Sequence, residues 1–193
     1  MYDAVEDPYC YPDTTVLKNK LHLEQRAELE SFEAEITAQR AEEALPAGRL
    51  TYSHYRAIHR HLFQDVYDWA GKIRTVRISK GGSMFCFPES IHREMSKLFR
   101  TLADERHLRD TTTDEFASKA AHFLAELNAI HPFREGNGRT QLTFLLLLAE
   151  TAGHRLAMTR LDPDKVMQAM IESFGGSEDM LARVLRHLLD NER

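Results

Sequence analysis

Nine consecutive residues, 131 to 139, bring a base, a carboxylate, two glycines and a cation into one short stretch of chain. They read His-Pro-Phe-Arg-Glu-Gly-Asn-Gly-Arg. Glycines at 136 and 138 permit positive φ, which turns successive N–H groups inward to form a cup for an anion. A helix beginning at about Gly138 would aim its free N–H groups into the same space, and Arg139 in its first turn opposes the helix dipole unless something negative is bound. The stretch therefore predicts phosphate chemistry.

Two core helices are predicted to position this polar loop. Before it, apolar residues recur at helical spacing over residues 116–130, and after it residues 142–149 are almost wholly apolar. Thr112 and Glu115 form a capping box for the first helix, and the second helix is expected to stop at Gly153. The loop between them must satisfy its own backbone groups, so we expect it to adopt one defined conformation.

The rest of the chain is predicted to be helical except for one hairpin. Between residues 72 and 87 the side chains alternate with the period of a strand, and Lys80-Gly81-Gly82-Ser83 supplies a turn. We predict an all-α fold of about eight helices with this single small β-hairpin. The remaining helices are expected at 14–21 (capped by Asp13 or Thr14), at 23–44 as a solvent-facing helix, at 53–66, at 88–106, and after the caps Asp162 and Ser177.

The composition is that of one globular domain. The chain has 193 residues, of which 42% are hydrophobic, enough for one well-packed core. We predict a single domain over residues 1–193, with a core at about 50–155, an N-terminal helical extension at 1–48 and C-terminal helices at 160–191. A formal net charge of −5 without a block of Lys or Arg argues against direct binding of nucleic acid.

Cysteine usage and hydropathy indicate the compartment. The chain has two cysteines, Cys10 and Cys86, and an acidic, polar N-terminus. No apolar run approaches the roughly 18 residues of a membrane span. We therefore predict a cytoplasmic protein with reduced thiols and no membrane partner.

The stretch from His131 to Arg139 resembles the signature of the Fic (filamentation induced by cAMP) family, HxFx(D/E)GNGRxxR. It matches everywhere except at the end, where Leu142 stands in place of the second arginine. Residues 7–12 and 65–74 are similar to segments that recur in bacterial Fic toxins paired with a small antitoxin. The resemblance covers roughly residues 5 to 190, and a nine-residue pattern in this helix–loop–helix context is specific.

The resemblance implies a Fic-like helical domain that transfers AMP from ATP to a hydroxyl side chain of a target protein. His131 matches the catalytic histidine, which accepts the proton of the attacking hydroxyl. Glu135 matches the acidic residue that holds Mg²⁺. The Asn137 side chain and neighbouring amides would stabilise charge on the transferring phosphorus. The positions that bind the phosphates of ATP fall on Gly136, Asn137, Gly138 and Arg139.

Part of the predicted hairpin resembles the flap of the family, which takes the modifiable segment of the target as an added strand. The flap positions are Gly82, Ser83, Met84, Phe85 and Cys86. From periodicity alone, the hairpin can equally be a cover for the core. Glu135 and Arg139 also have the spacing of an ordinary surface pair on a helix.

Two other functions stay open. A Doc-like kinase would transfer the terminal phosphate of ATP; the Doc pattern has leucine at the place of Leu142, but lysine at the place of Gly138. The second is a Fic-fold binding module with impaired catalysis, because Leu142 replaces the second motif arginine and cannot bind a phosphate.

Regulation is also implied by the resemblance. Fic enzymes are commonly restrained by a helix with the pattern [S/T]xxxE[G/N]. Segments beginning at Ser31, Thr101 and Thr111 have this spacing but lack the final Gly or Asn. We therefore predict a separate small antitoxin that supplies the inhibitory helix and binds against the N-terminal helices. By resemblance only, the predicted targets are the ATPase subunits of DNA gyrase and topoisomerase IV.

Overall fold

Helices form almost all regular structure in the computed structural model, which describes residues 7–80 and 83–189. Within these ranges there are seven α-helices, and short 3₁₀ turns at Arg106–Leu108 and Met158–Arg160. The predicted all-α class is confirmed. The helices are α1 (Arg26–Glu42), α2 (Tyr52–Phe63), α3 (Pro88–Asp104), α4 (Thr113–Ile130), α5 (Asn137–Ala152), α6 (Pro163–Phe174) and α7 (Asp179–Leu188).

Helix α4 is the centre of the core and packs against α3, α5, α6 and α7. Its predicted capping box is present. The Thr112 hydroxyl accepts the Glu115 N–H (3.3 Å), and the Glu115 carboxylate accepts the Thr112 N–H (2.8 Å). The bond from the Thr112 N–H holds the pKa of the Glu115 carboxyl below its ordinary value. The side chains predicted to face the core are buried: Phe116, Ala120, Phe123, Leu124, Leu127 and Ile130.

The two helix ends that meet at the loop have local causes. Helix α4 ends at Ile130 because Pro132 has no N–H to continue it, and His131 takes a left-handed conformation (φ 48°) as the C-cap. Helix α5 begins at Asn137, one residue earlier than predicted, after Gly136 with φ 79°. It ends at Gly153 (φ 82°), as predicted.

The N-terminal caps of the last two helices were predicted with mixed success. The Asp162 carboxylate accepts the N–H groups of Asp164 (3.1 Å) and Lys165 (3.2 Å), which confirms it as the cap of α6. The prediction of Ser177 as the cap of α7 is wrong. That helix begins one residue later, with Glu178 at the N-cap position and no side-chain cap bond.

The short helix predicted at 14–21 is wrong. The segment folds back on itself, and Cys10 and Leu17 form an isolated antiparallel bridge. The Tyr11 N–H bonds to the Val16 carbonyl (2.9 Å), and Asp13 at the bend has φ 58°. This turn buries apolar side chains from both of its arms.

The hairpin is much shorter than predicted. Strand β1 (Ser79–Lys80) pairs antiparallel with β2 (Ser83–Met84), in the register Ser79↔Met84. Residues 72–78 form no strand, and the Arg74 N–H bonds instead to the Pro132 carbonyl in the loop (3.0 Å). Gly82, a predicted flap residue, lies outside the described residues.

Over residues 7–80 and 83–189, no helix combines the length and the apolar character needed to cross a bilayer.

Candidate active site

The ring of His131 is oriented by the segment that follows β2. The aromatic face of Phe85 lies against the imidazole, with centroids 3.9 Å apart and planes 20° apart. Phe174 of α6 packs edge-on against Phe85 (5.6 Å, 89°). The ring plane of the predicted general base is therefore set by packing that joins the hairpin segment (residues 72–87) to α6.

The backbone of His131 is held by a buried arginine. Arg74 is only 2% exposed, and burial lowers the pKa of its guanidinium. Its Nε donates to the His131 carbonyl (2.8 Å), and its Nη2 donates to the carbonyls of Ile130 (3.2 Å) and Cys86 (2.6 Å). Its Nη1 donates to the Val76 carbonyl (2.6 Å). One side chain thus ties the end of α4 to the hairpin segment.

The loop between α4 and α5 is closed by Asn137. Its Oδ1 accepts the Phe133 N–H (3.0 Å), and its Nδ2 donates to the Phe133 carbonyl (2.8 Å). Both ends of this amide side chain thus bond to the loop itself, and its role in stabilising charge on the phosphorus stays a prediction. At the first position of α5, the main-chain N–H of Asn137 is the part that can face an anion. Phe133 is fully buried, as expected of a packing residue.

A buried histidine supports the loop from α2. The His59 Nε2 lies 3.0 Å from the Glu135 carbonyl, and its Nδ1 accepts the Gly71 N–H (2.8 Å). These two bonds require the neutral imidazole with its proton on Nε2. Burial lowers the pKa of His59 to about 3, which keeps the ring in that form at neutral pH.

The two glycines of the loop differ in their conformations. Gly136 has φ 79°, and a Cβ there would lie 2.3 Å from Cζ of Phe63, so only glycine fits. Gly138 lies inside α5 and does not have a positive φ, so the prediction for its backbone is wrong. A Cβ at Gly138 would meet no atom of the described chain within 4 Å, which leaves the space beside the start of α5 open.

The charged groups of the loop surround the N-terminus of α5. The exposed Glu135 carboxylate accepts the Gly136 N–H (2.9 Å) and lies 3.8 Å from Arg139 Nη2. The Arg139 guanidinium also forms an ion pair with Glu33 of α1 and donates to the Thr37 hydroxyl (3.1 Å). The sequence predicts a negative partner for Arg139, and the Glu33 side chain is one such partner within the protein itself.

The N-terminal segment is fastened to the same loop. Arg134 lies 2.7 Å from the Asp7 carboxylate through Nη2, and its Nε donates to the same oxygen at 2.9 Å. Both side chains are mostly shielded from solvent. The segment before α1 is therefore fastened to the loop between α4 and α5 through Asp7.

The predicted flap residues do not share one environment. Met84 is 57% exposed and Phe85 is 9% exposed, while Cys86 lies between these extremes. Burial raises the pKa of the Cys86 thiol, which keeps it protonated. The hairpin segment therefore presents Met84 outward and turns Phe85 onto His131. Its role as a flap for the target stays a prediction.

Three residues that build the site were missed as functional residues in the sequence. Glu33 sits among exposed acidic residues. The only signal for its inward position was its spacing of four residues from Leu29 and from Thr37, which are buried on the same face of α1. His59 lies on the apolar side of its helix, and Arg74 lies in a segment that alternates like a strand. Neither pattern reveals that the side chain reaches the loop.

The fold and the site together define a class of protein: a helical domain that presents a histidine, a carboxylate and an arginine around a helix N-terminus open to an anion. The Fic/DOC family model matches residues 49–149. The chain belongs to the Fic/DOC family.

Similar proteins support this membership over 97% of the chain. The chain is 52% identical to y4lH of Sinorhizobium fredii, named a probable protein adenylyltransferase, over 97% of this chain and 98% of that protein. It is 38% identical to the protein adenylyltransferase VbhT of Bartonella schoenbuchensis, over 97% of this chain and 40% of VbhT. The N-terminal Fic domain of a Bartonella quintana protein, solved with bound ADP, superposes with a TM-score of 0.86 at 27% identity, covering 94% of each chain.

Proposed function

We propose that this protein is a protein adenylyltransferase, which transfers AMP from ATP to a hydroxyl side chain of a target protein. The observation that carries the proposal is the site at the start of α5. There Arg139 and the N–H groups of the first helical turn would bind the phosphates, beside a loop whose first residue, His131, has its backbone and ring held by Arg74 and Phe85. The relative y4lH, which carries this activity in its name, extends over the same length of chain.

The reaction follows from these groups. His131 accepts the proton of the target hydroxyl as its oxygen attacks the α-phosphorus of ATP. A bond forms between that oxygen and the phosphorus, the bond to pyrophosphate breaks, and the target carries AMP. The helix N–H groups and Arg139 stabilise the negative charge of the phosphates. The positive helix end does this without reorganisation, because its dipoles are already aligned.

Glu135 is proposed to hold Mg²⁺ together with the phosphates of ATP. Its carboxylate is exposed at the edge of the site, and one oxygen is oriented by the Gly136 N–H. Among the residues that the structure describes, no three His, Cys, Asp or Glu side chains cluster as a metal site. This fits an ion that takes one carboxylate from the protein and its other oxygens from nucleotide and water. When bound, such an ion neutralises charge on the phosphates.

The position of the label in ATP tests the reaction. The full chain is incubated with ATP labelled at the α or the γ phosphate, together with the proposed targets, the ATPase subunits of DNA gyrase and topoisomerase IV, and separately with a bacterial extract. We expect α label on protein, no γ label, and no label with His131→Ala at unchanged helical content. His122→Ala, on the exposed surface of α4, is the matched control and should label normally. Label from γ only, or no label on any protein, would overturn the proposal.

A kinase of the Doc type is the second candidate. Leu142, which the Doc pattern shares, is half-buried and packs against the core, so it extends the apolar face of α5. An open position at Gly138, where that pattern has lysine, favours transfer of AMP. Transfer of γ label in the same experiment would decide for the kinase.

A separate small antitoxin is proposed as the regulatory partner. It would supply an inhibitory helix to the site and bind against the N-terminal helices, in the cytoplasm where ATP and the proposed targets occur. Expression of the chain alone should arrest growth, and co-expression with the neighbouring reading frame should restore it. His131→Ala serves as the non-toxic control. Normal growth with the active chain and no partner would contradict this part of the proposal.

A further inference from the structure

One acidic residue of α1 faces the active site. Glu33 is 8% exposed, whereas its neighbours Glu28, Glu30 and Glu35 on the same helix are exposed. A buried carboxylate is costly unless its oxygens are paired and hydrogen-bonded. Here one oxygen pairs with the Arg139 guanidinium and the other accepts the hydroxyl of Tyr67. Both carboxylate oxygens of Glu33 are therefore paired, and one of them pairs with a predicted phosphate-binding residue.

The partners of Glu33 are themselves fixed. Tyr67 is 2% exposed, and burial, followed by the charge of Glu33, raises the pKa of its hydroxyl, so it remains a donor at neutral pH. Thr37 donates to the main-chain carbonyl of Glu33 (2.7 Å), which leaves its oxygen free to accept from Arg139 Nη1 (3.1 Å). The guanidinium lies over the ring of Phe63, 4.7 Å from its centroid. Arg139 is thus held from three sides.

The arrangement leaves Arg139 able to receive a ligand. The guanidinium has five N–H donors, and Glu33 and Thr37 take one from each terminal nitrogen. The Arg139 side chain remains 39% exposed, while that of Glu33 is only 11% exposed. The carboxylate of Glu33 is therefore more buried than the guanidinium, part of which stays accessible to a ligand.

We propose that Glu33 is a positioning residue, which with Tyr67 and Thr37 holds the guanidinium of Arg139 in the orientation that binds the phosphates of ATP. This inference rests on the proposed function. It assigns to α1 a part in nucleotide binding that its charged, solvent-facing sequence does not reveal.

Direct binding of Mg²⁺-ATP, measured by calorimetry, tests the inference independently of the target protein. Glu33→Gln keeps the shape and removes the charge, and we expect a Kd for ATP about tenfold higher, with the KM for ATP raised and kcat changed less. Glu35→Gln, exposed on the same helix, is the matched control and should bind like the wild type. If the wild type binds ATP but labels no protein, the proposed function fails while this test still stands.

A double-mutant cycle separates positioning from general packing. In an Arg139→Ala background, Glu33→Gln should change the Kd for ATP no further, because the group it positions is absent. If Glu33→Gln does not fold, Tyr67→Phe, which removes one hydroxyl, is measured in its place, with an expected increase of about threefold in Kd. Unchanged or tighter ATP binding by the folded variant would overturn the proposal. Tighter binding would identify Glu33 as a competitor of the phosphates instead.

Discussion

The ring of Phe85 lies face to face with the imidazole of His131, with the two centroids 3.9 Å apart. Phe85 was expected only as a flap residue, and this contact makes it also the platform for the predicted general base. The contact joins the segment after β2 to the loop between α4 and α5 at the side chain of the predicted general base.

Replacing Phe85 by leucine should slow the reaction more than it weakens binding of ATP. The aliphatic side chain keeps most of the volume but loses the flat face that orients the imidazole, so we expect kcat to fall about ten- to a hundredfold. The Kd for ATP should stay near that of the wild type. Phe116→Leu, buried at the other end of α4, is the control that loses packing but keeps kcat. Equal kcat values for the two variants would refute this role.

Arg74→Lys should destabilise the protein although it keeps the charge. A lysine ammonium cannot reach the four carbonyls that the guanidinium fork bridges, so we expect a loss of about 3 kcal/mol in the free energy of unfolding. Urea denaturation measures this loss. Arg77→Lys replaces an exposed arginine of the same segment and should change the stability little. A loss no larger than that of the control would contradict the bracing role of Arg74.

Stability should fall as the pH is lowered through the titration of His59. The folded pKa of about 3 lies below the ordinary value of 6.5, so the unfolded state binds the proton first between these limits. The contribution is therefore fully present above pH 6.5 and is lost as the pH falls towards 3. From pH 7.5 to 5.5 the expected loss is about 1 kcal/mol. Unfolding of His59→Gln should show a shallower pH slope than the exposed variant His122→Gln, and parallel slopes would exclude His59 as the source.

Leu142→Arg tests whether this position is a missing phosphate contact. A restored arginine can add a charge-assisted hydrogen bond of about 1.5–3 kcal/mol, so AMP transfer should rise about tenfold at limiting ATP. Because Leu142 packs partly against the core, some loss of thermal stability is expected as well. Leu146→Arg places the same charge one turn further along α5 and should give the stability loss alone. Unchanged transfer by a folded Leu142→Arg protein would show that position 142 does not serve the nucleotide.

The sequence by itself determined most of the helices and the identity of the loop. The capping box of Thr112 and Glu115, the stop at Gly153 and the cap at Asp162 were all predicted correctly, because each depends on residues within one helical turn. The buried face of α4 followed from its periodicity for the same reason. The prediction failed at residues 14–21, where a helical pattern was outweighed by pairing with a segment that precedes it.

Only the tertiary structure decided how the loop is held for chemistry. Arg74 and His131 are 57 residues apart, and Glu33 and Arg139 are 106 residues apart, yet each pair is in contact. The stacking of Phe85 on His131 likewise joins the hairpin segment to the end of α4. Such contacts arise when helices with separate local signals pack together. Residue patterns within one turn or one strand period therefore do not predict them. The sequence therefore determined which groups can react, and packing between distant elements determined their orientation.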